Sequence, residues 1–337
     1  MEHTPRNFRA PELYGDYWFN SEPVSISALR GYVLLLDFWD YCSAGCLHSM
    51  PYINEWHRKY REYGLVVIGV HTPEYSFGKK PEHVVRAMEA LGVKHPVVMD
   101  NEAIIGNAYG NRTVPTHCLV DKHGFVHSVH QGEGGYEQFE RTLQALLMDA
   151  GTRGELPDLM APIRDADRHG AVLYRATGDI HLGYLRGTMG NVEGFSPEST
   201  VEHSDPGLYL PGRFYAQGMW MDGRECLRFS GEREGYVAVS YEALEVTGVL
   251  NVENMKSCVL TVEQDGMMLT AENKGDDVAL TEQGKSVLNL SGPRLYSIVR
   301  NKEFGAHTLT VRASRAGVEL YSLGFMTGVI PELISNN

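Results

Sequence analysis

The first half of the chain alternates between strand-like and helix-like hydrophobic patterns. Residues 32–39 form a nearly continuous apolar run, which is typical of a central strand buried on both faces. Residues 47–63 then place an apolar side chain at every third or fourth position, which predicts a helix that ends at Gly64. A second apolar run follows at residues 65–70. This β-α-β order predicts parallel strands joined by a right-handed crossover.

The rest of this half predicts a mixed sheet with further helices. A helix begins with a proline and ends before a glycine, and two later strands are joined by a hairpin signal. These elements cover helix 81–91, strand 96–99, strands 118–121 and 125–130, and helix 136–150. The hairpin adds antiparallel strands to the parallel pair, so we expect an α/β domain over residues 1–150.

The second half has a different pattern. Residues 151–177 carry glycine, proline and charge without clear periodicity, which predicts a linker. Residues 178–337 contain short strand-like segments separated by turn signals, with no long amphipathic helix. This pattern is typical of an antiparallel sandwich or jelly roll, so we expect an all-β second domain.

The charge balance excludes some classes of partner. The chain has 43 acidic and 30 basic residues, a net charge of −13, and no basic stripe. We therefore expect neither nucleic acid nor an anionic membrane surface as partner. No apolar run approaches the roughly 20 residues of a membrane span, and no leader pattern occurs at the N-terminus. We expect a cytoplasmic protein, or an extracytoplasmic one if a leader or membrane domain was trimmed.

Two of the five cysteines, Cys42 and Cys46, lie at the junction between the first strand and the first helix. A helix N-terminus stabilises a thiolate, so we expect lowered thiol pKa values there. Ideal helix geometry separates Cα atoms at i and i+4 by roughly 6 Å, which a disulfide can bridge. We expect Cys42, nearer the exposed strand end, to be the nucleophile and Cys46 to resolve the mixed disulfide.

Two neighbouring features extend this candidate site. Val114-Pro115 precedes a strand, where an X-Pro bond can be cis, and we expect it to face the start of the first helix. Trp39 and Tyr41 are candidates for an aromatic rim that contacts substrate. His71 stands at the carboxyl end of a strand, where functional residues collect in α/β sheets.

The first domain resembles the thioredoxin-like domains of TlpA, ResA and DipZ proteins and of NHL-repeat proteins. The residues that carry this resemblance are 10–13, 26–39, 51–52, 63–77 and 108–124. The second domain resembles the carbohydrate-binding-module-like jelly roll that follows the thioredoxin domain in DipZ-type proteins, on residues 181–187, 218–223 and 292–300. Together these resemblances cover most of the chain.

The resemblance implies a thiol-disulfide oxidoreductase that needs no cofactor. Its catalytic residues would be Cys42, Cys46 and Pro115, and its groove candidates are Trp39, Tyr41, Ser43 and Val114. The implied partner is a protein or small-molecule disulfide or thiol. The jelly roll implies a glycan or protein ligand, although a shared fold does not establish sugar binding.

The cysteine spacing departs from the CxxC pattern of this family. Ser43 stands where the family has its nucleophile, and Cys42 lies one residue earlier. One alternative is a displaced CxxxC redox pair, and another is a Sco-like copper site formed by Cys42, Cys46 and His71. A third is a redox-inactive interaction module. An engineered Cys→Ser change at position 43 would also give this sequence.

Overall fold

The computed structural model describes residues 4–253 and 257–333. Two compact units meet in sequence between Ala171 and Val172. Among the described helices, none combines the length and the apolar character that crossing a membrane requires.

The first unit is built on a seven-stranded mixed sheet, as the sequence predicts. Its strands are β1 (Thr4–Arg9), β2 (Trp18–Phe19), β3 (Val33–Trp39), β4 (Leu65–His71), β5 (Val97–Met99), β6 (Thr116–Val120) and β7 (Phe125–Gln131). Their order across the sheet is β1-β7-β6-β3-β4-β5-β2. Strand β3 pairs with β4 in parallel and with β6 antiparallel, so β3 lies at the centre.

Among the described residues, three helices connect these strands and a fourth follows the last strand: α1 (Ala44–Tyr60), α2 (Pro81–Leu91), α3 (Ile104–Ala108) and α4 (Tyr136–Asp149). Helix α2 has the predicted bounds, because a proline starts it and Gly92, at φ 68°, ends it in the left-handed conformation. Helix α1 starts three residues before the predicted position. Gly64, at φ 96°, then ends a 3-10 turn that extends it.

Strand β3 contributes side chains to both faces of the sheet. Leu34, Leu36 and Phe38 join one apolar cluster. The alternate positions point to the opposite face. There Trp56 of α1 and Phe139 of α4 stack at 5.2 Å between ring centroids, and both are fully buried. Helices α1 and α4 therefore pack together within this second core.

The segment predicted as a linker, residues 151–177, contributes largely to the first unit. The hydroxyl of Tyr52, in α1, donates to Oδ2 of Asp167 at 2.9 Å and accepts from the backbone N–H of Ile163 at 2.7 Å. A polar segment without periodicity looks the same in sequence whether it is a solvated linker or packs on a domain. The sequence therefore did not predict these contacts.

The second unit is an antiparallel β structure. Its strands are β8 (Ile180–His181), β9 (Thr200–His203), β10 (Phe214–Asp222), β11 (Leu227–Phe229), β12 (Gly235–Val252), β13 (Cys258–Gln264), β14 (Met267–Met268), β15 (Val278–Leu280), β16 (Ser286–Leu290), β17 (Arg294–Ala313) and β18 (Val318–Met326). Strand β12 pairs with β10, β17 and β18. One apolar cluster fills this unit, which is consistent with a β sandwich. The jelly-roll topology and a glycan or protein ligand stay predictions.

Candidate functional site

The candidate site begins where the chain leaves β3 and enters α1. Ser43 is the N-cap of the helix, with extended backbone, and its Oγ accepts from the backbone N–H of Cys46 at 3.4 Å. This bond satisfies one of the unpaired N–H groups of the first turn. Cys46 therefore lies in the first turn of α1, and Cys42 lies just outside it.

Both cysteines are free thiols and both are buried. Cys42 is 4% exposed and Cys46 is 0% exposed. The N–H of Cys42 donates to Oδ1 of Asp40 at 3.0 Å, and the N–H of Asp40 donates to Sγ of Cys46 at 3.4 Å. Asp40 thus contacts both members of the pair.

The thiol pKa values contradict the sequence expectation. Burial raises the pKa of Cys42 well above its ordinary value, and the charges of Asp40 and Glu74 raise it further. Burial also dominates for Cys46, although hydrogen bonds with Ser43 and the backbone of Asp40 lower its pKa in part. The expectation of lowered thiol pKa values was therefore wrong, because desolvation of the thiolate outweighs stabilisation at the helix N-terminus.

Pro115 lies against the first turn of α1, as expected from the sequence. The Val114–Pro115 peptide bond is cis. A Cβ added to Gly45 would lie 3.1 Å from Cδ of Pro115, so the two residues are in close contact. Val114 is partly buried and packs against the apolar cluster of the sheet. Of these two residues, it is therefore Pro115 that adjoins the cysteine segment.

The prediction that Trp39 and Tyr41 form an aromatic rim was wrong. Trp39 is 0% exposed and Tyr41 is 4% exposed, so neither ring offers a surface to substrate. Tyr41 stacks on His71 with centroids 5.4 Å apart, and Trp39 meets the same ring edge-on at 5.2 Å. These contacts bury all three rings beside the cysteine segment. Ser43, the remaining groove candidate, is partly exposed.

His71 does not complete a metal site. Its Nε2 lies 3.6 Å from Oδ1 of Asp40. Throughout residues 4–253 and 257–333, no three His, Cys, Asp or Glu side chains come together as a set that could hold a metal ion. The copper alternative with Cys42, Cys46 and His71 therefore gains no support from the geometry.

A charged cluster beside α1 was not found from the sequence. Oε2 of Glu133 lies 2.8 Å from Nδ1 of His48 and 2.9 Å from Nη2 of Arg164. The Cβ of Glu133 is 3.9 Å from the position of a Cβ on Gly45, which places this cluster beside the site. Because Arg164 belongs to the predicted linker, local sequence gave no sign of this contact.

A buried carboxylate–imidazole pair beneath the site was also missed. Asp37 of β3 and His117 of β6 are register partners, and Oδ1 of Asp37 lies 2.9 Å from Nδ1 of His117. The available signal was a charged residue within an otherwise apolar strand, which demands a buried partner. The charge of Asp37 also raises the pKa of Cys46, so the pair lies within electrostatic range of that thiol.

Comparisons with known proteins agree with this two-part architecture. The family model "Redoxin" matches residues 17–146, and the family model "Thioredoxin like C-terminal domain" matches residues 177–325. Protein DipZ of Mycobacterium tuberculosis is 29% identical over 325 residues, covering 94% of this chain and 42% of DipZ. The chain thus spans less than half the length of that relative.

Shorter relatives match the first unit alone. The thiol-disulfide oxidoreductase ResA of Bacillus thuringiensis is 31% identical over 140 residues, which are 42% of this chain and 75% of ResA. A solved thiol-disulfide isomerase from Corynebacterium glutamicum is 28% identical, with a TM-score of 0.38 over 41% of this chain and 96% of its own. On this identity and coverage of ResA, the chain belongs to the ResA-type thiol-disulfide oxidoreductase family, with a redoxin domain followed by a thioredoxin-like C-terminal domain.

Proposed function

We propose that the chain is a thiol-disulfide oxidoreductase that uses Cys42 and Cys46 as its redox pair. The thiolate of Cys42 attacks a substrate disulfide, and one substrate sulfur leaves and takes up a proton. Cys46 then attacks the mixed disulfide and releases the second substrate thiol. Two electrons pass from the pair to the substrate, and the pair becomes a disulfide.

The observation that carries this proposal is that Asp40 contacts both cysteines. One residue accepts from the N–H of Cys42 and donates to Sγ of Cys46. These contacts hold both cysteines at one end of α1, where Pro115 packs on Gly45. A nucleophile and a resolving thiol in one short segment are what disulfide exchange requires.

The raised thiol pKa values favour the reducing direction. Strongly oxidising pairs owe their potential to a stabilised reduced form. Here burial raises the pKa of both Cys42 and Cys46, so ionisation gives the reduced form no added stability at neutral pH. We therefore propose that the pair donates electrons to a protein or small-molecule disulfide.

The test combines oxidation with turnover. After treatment with oxidised glutathione, mass spectrometry should find Cys42 and Cys46 joined, with a loss of two hydrogens from their peptide. Reduction of insulin disulfides should fall by about 100-fold in Cys42→Ala and in Cys46→Ala, in line with loss of an activated nucleophile. Cys258→Ala, a buried cysteine of the second unit, is the matched control and should retain activity. Full activity in both single variants would overturn the proposal.

A second candidate function is a binding module without redox chemistry. It is favoured by the burial of both thiols and by a serine, Ser43, at the more exposed N-cap of α1. This candidate predicts that Cys42 and Cys46 stay reduced in oxidised glutathione. It also predicts no turnover of insulin, so the same two measurements separate the candidates.

A further inference from the structure

The carboxylate of Asp40 is enclosed at the start of the cysteine segment. Its side chain is 2% exposed. Oδ1 accepts from the N–H of Cys42 at 3.0 Å, and Oδ2 accepts from the N–H of Glu74 at 2.7 Å. The carboxylate therefore joins the entry to α1 to the loop that follows β4.

The backbone of Asp40 makes two further contacts with the same segment. Its N–H donates to Sγ of Cys46 at 3.4 Å, and its carbonyl accepts from the N–H of Ser43 at 3.1 Å. Counting the carboxylate, Asp40 contacts three of the residues from 42 to 46. A change at this residue should therefore alter the cysteine pair directly.

In the part of the chain that the structure describes, the hydrogen bonds to the Asp40 carboxylate come from backbone N–H groups. Nε2 of His71 lies 3.6 Å from Oδ1, beyond hydrogen-bond distance. His71 is 0% exposed, and neither ring nitrogen has a hydrogen-bond partner in the part of the chain that the structure describes. A negative charge in such an enclosed setting acts strongly on neighbouring thiols.

We propose that Asp40 is a positioning residue that orients the Cys42–Cys46 segment and, through its buried negative charge, keeps the pair a reductant. The proposal deepens the function proposed above and rests on it. A nearby like charge disfavours the thiolate, and a less stable thiolate makes the dithiol a stronger electron donor. Asp40 acts through the two cysteines and touches no substrate.

The electrostatic surroundings agree with this assignment. After burial, Asp40 is the largest cause that raises the pKa of Cys42, followed by Glu74 and Cys46. Several other titratable or charged groups face the pair or its neighbours. These are Asp37 below Cys46, His71 and Tyr41 beside Asp40, and Arg86, whose charge acts on Tyr41.

The test is Asp40→Asn, which removes the charge and keeps a side-chain acceptor of nearly the same shape. We expect the pH midpoint of iodoacetamide labelling at Cys42 to fall, measured residue by residue by mass spectrometry. A fall of about one pH unit would raise the thiolate fraction at neutral pH about tenfold. The equilibrium with glutathione should shift at the same time towards a more oxidising pair.

Two further variants complete the design. Asp40→Ser is a second neutral replacement and should shift the labelling midpoint in the same direction. Asp16→Asn, an exposed acid of the first unit, is the matched charge control and should leave the midpoint unchanged. An unchanged midpoint in Asp40→Asn and Asp40→Ser would overturn the assignment.

The test also separates this assignment from the proposed function. Labelling is measured on the reduced protein and needs no disulfide. If the midpoint shifts but Cys42 and Cys46 never form a disulfide, the oxidoreductase proposal is wrong. The electrostatic role of Asp40 is then still supported. If the disulfide forms normally but the midpoint does not shift, the role assigned to Asp40 is wrong and the oxidoreductase proposal is still supported.

Discussion

Oδ1 of Asp37 lies 2.9 Å from Nδ1 of His117, and neither side chain reaches solvent. The two residues are neighbours across the centre of the sheet, where β3 pairs with β6. A buried carboxylate is costly unless it is paired. The stability of the first unit therefore depends on this pair. The pair lies beneath the cysteine segment.

Replacing His117 by leucine should lower the free energy of unfolding by about 3 kcal/mol, because it leaves the Asp37 carboxylate buried without its partner. Urea unfolding measures this change. The double variant Asp37→Leu with His117→Leu is the control and should recover much of the loss, since no lone charge remains. A single variant as stable as the wild type would contradict the prediction.

Gly45→Ala should lower disulfide-reductase activity with little loss of stability. The added methyl group would approach Cδ of Pro115 at 3.1 Å, so the contact between α1 and Pro115 must widen. We expect a rise in the KM for a disulfide substrate, measured by steady-state kinetics. Gly178→Ala meets open space and is the matched control, in which KM should not change. Equal kinetics in both variants would argue against a substrate groove at this contact.

Much of the fold follows from local sequence. The bounds of α2 are predictable because a proline fixes its start and Gly92 its end. The central strands are predictable because their apolar runs match a doubly covered sheet. The short edge strands Thr4–Arg9 and Trp18–Phe19 were not predicted, since partners far along the chain specify them.

The chemistry of the site was less predictable than its location. The sequence places Cys42 and Cys46 at a helix N-terminus, and that position is observed. Whether the thiolates gain from the helix or lose by burial depends on how deeply the folded chain buries the two cysteines, which sequence spacing does not reveal. Arg164 shows the same limit, because its contact with Glu133 spans 31 residues.

The charged cluster predicts a specific acid dependence of stability. Burial alone would raise the pKa of Glu133, but hydrogen bonds and charges from His48 and Arg164 outweigh it and lower the pKa to about 2. A depressed carboxyl pKa stabilises the fold above the unfolded value of roughly 4.5, and this contribution disappears as the pH falls towards 2.

Glu133→Gln should therefore have a lower Tm than the wild type at pH 6, and the difference should shrink steadily from pH 4.5 to pH 2. Thermal unfolding followed by circular dichroism measures it. Glu137→Gln on α4, where Arg141 forms a more exposed pair, is the control and should show a smaller difference. A Tm difference that does not depend on pH would contradict the charge argument.

Two substitutions at Ser43 separate its role as the helix cap from the reactivity of a thiol at the same position. Ser43→Ala should cost about 1 kcal/mol of stability, because it removes the acceptor for the N–H of Cys46. Ser43→Cys places a thiol at the more exposed N-cap of α1, where the helix lowers thiol pKa values. We expect this new thiol to react with iodoacetamide at pH 7 faster than Cys42 does, and insulin reduction to rise. Slower labelling than at Cys42 would contradict the prediction.

The contact between Tyr52 and the segment before the second unit can be tested by a substitution that removes one oxygen atom. Tyr52→Phe removes the hydroxyl that donates to Asp167 and accepts from the N–H of Ile163, while the ring keeps its stack on Tyr136 at 3.8 Å. Without the hydroxyl, the buried Asp167 side chain and the backbone N–H of Ile163 lose this partner, which should cost about 1–3 kcal/mol. We expect the loss to be local, so limited proteolysis near Arg164 and Arg168 should accelerate several-fold. Tyr63→Phe, at the end of the 3-10 turn after α1, is the matched control and should digest at the wild-type rate. Unchanged cleavage in Tyr52→Phe would show that other contacts hold this segment on the first unit.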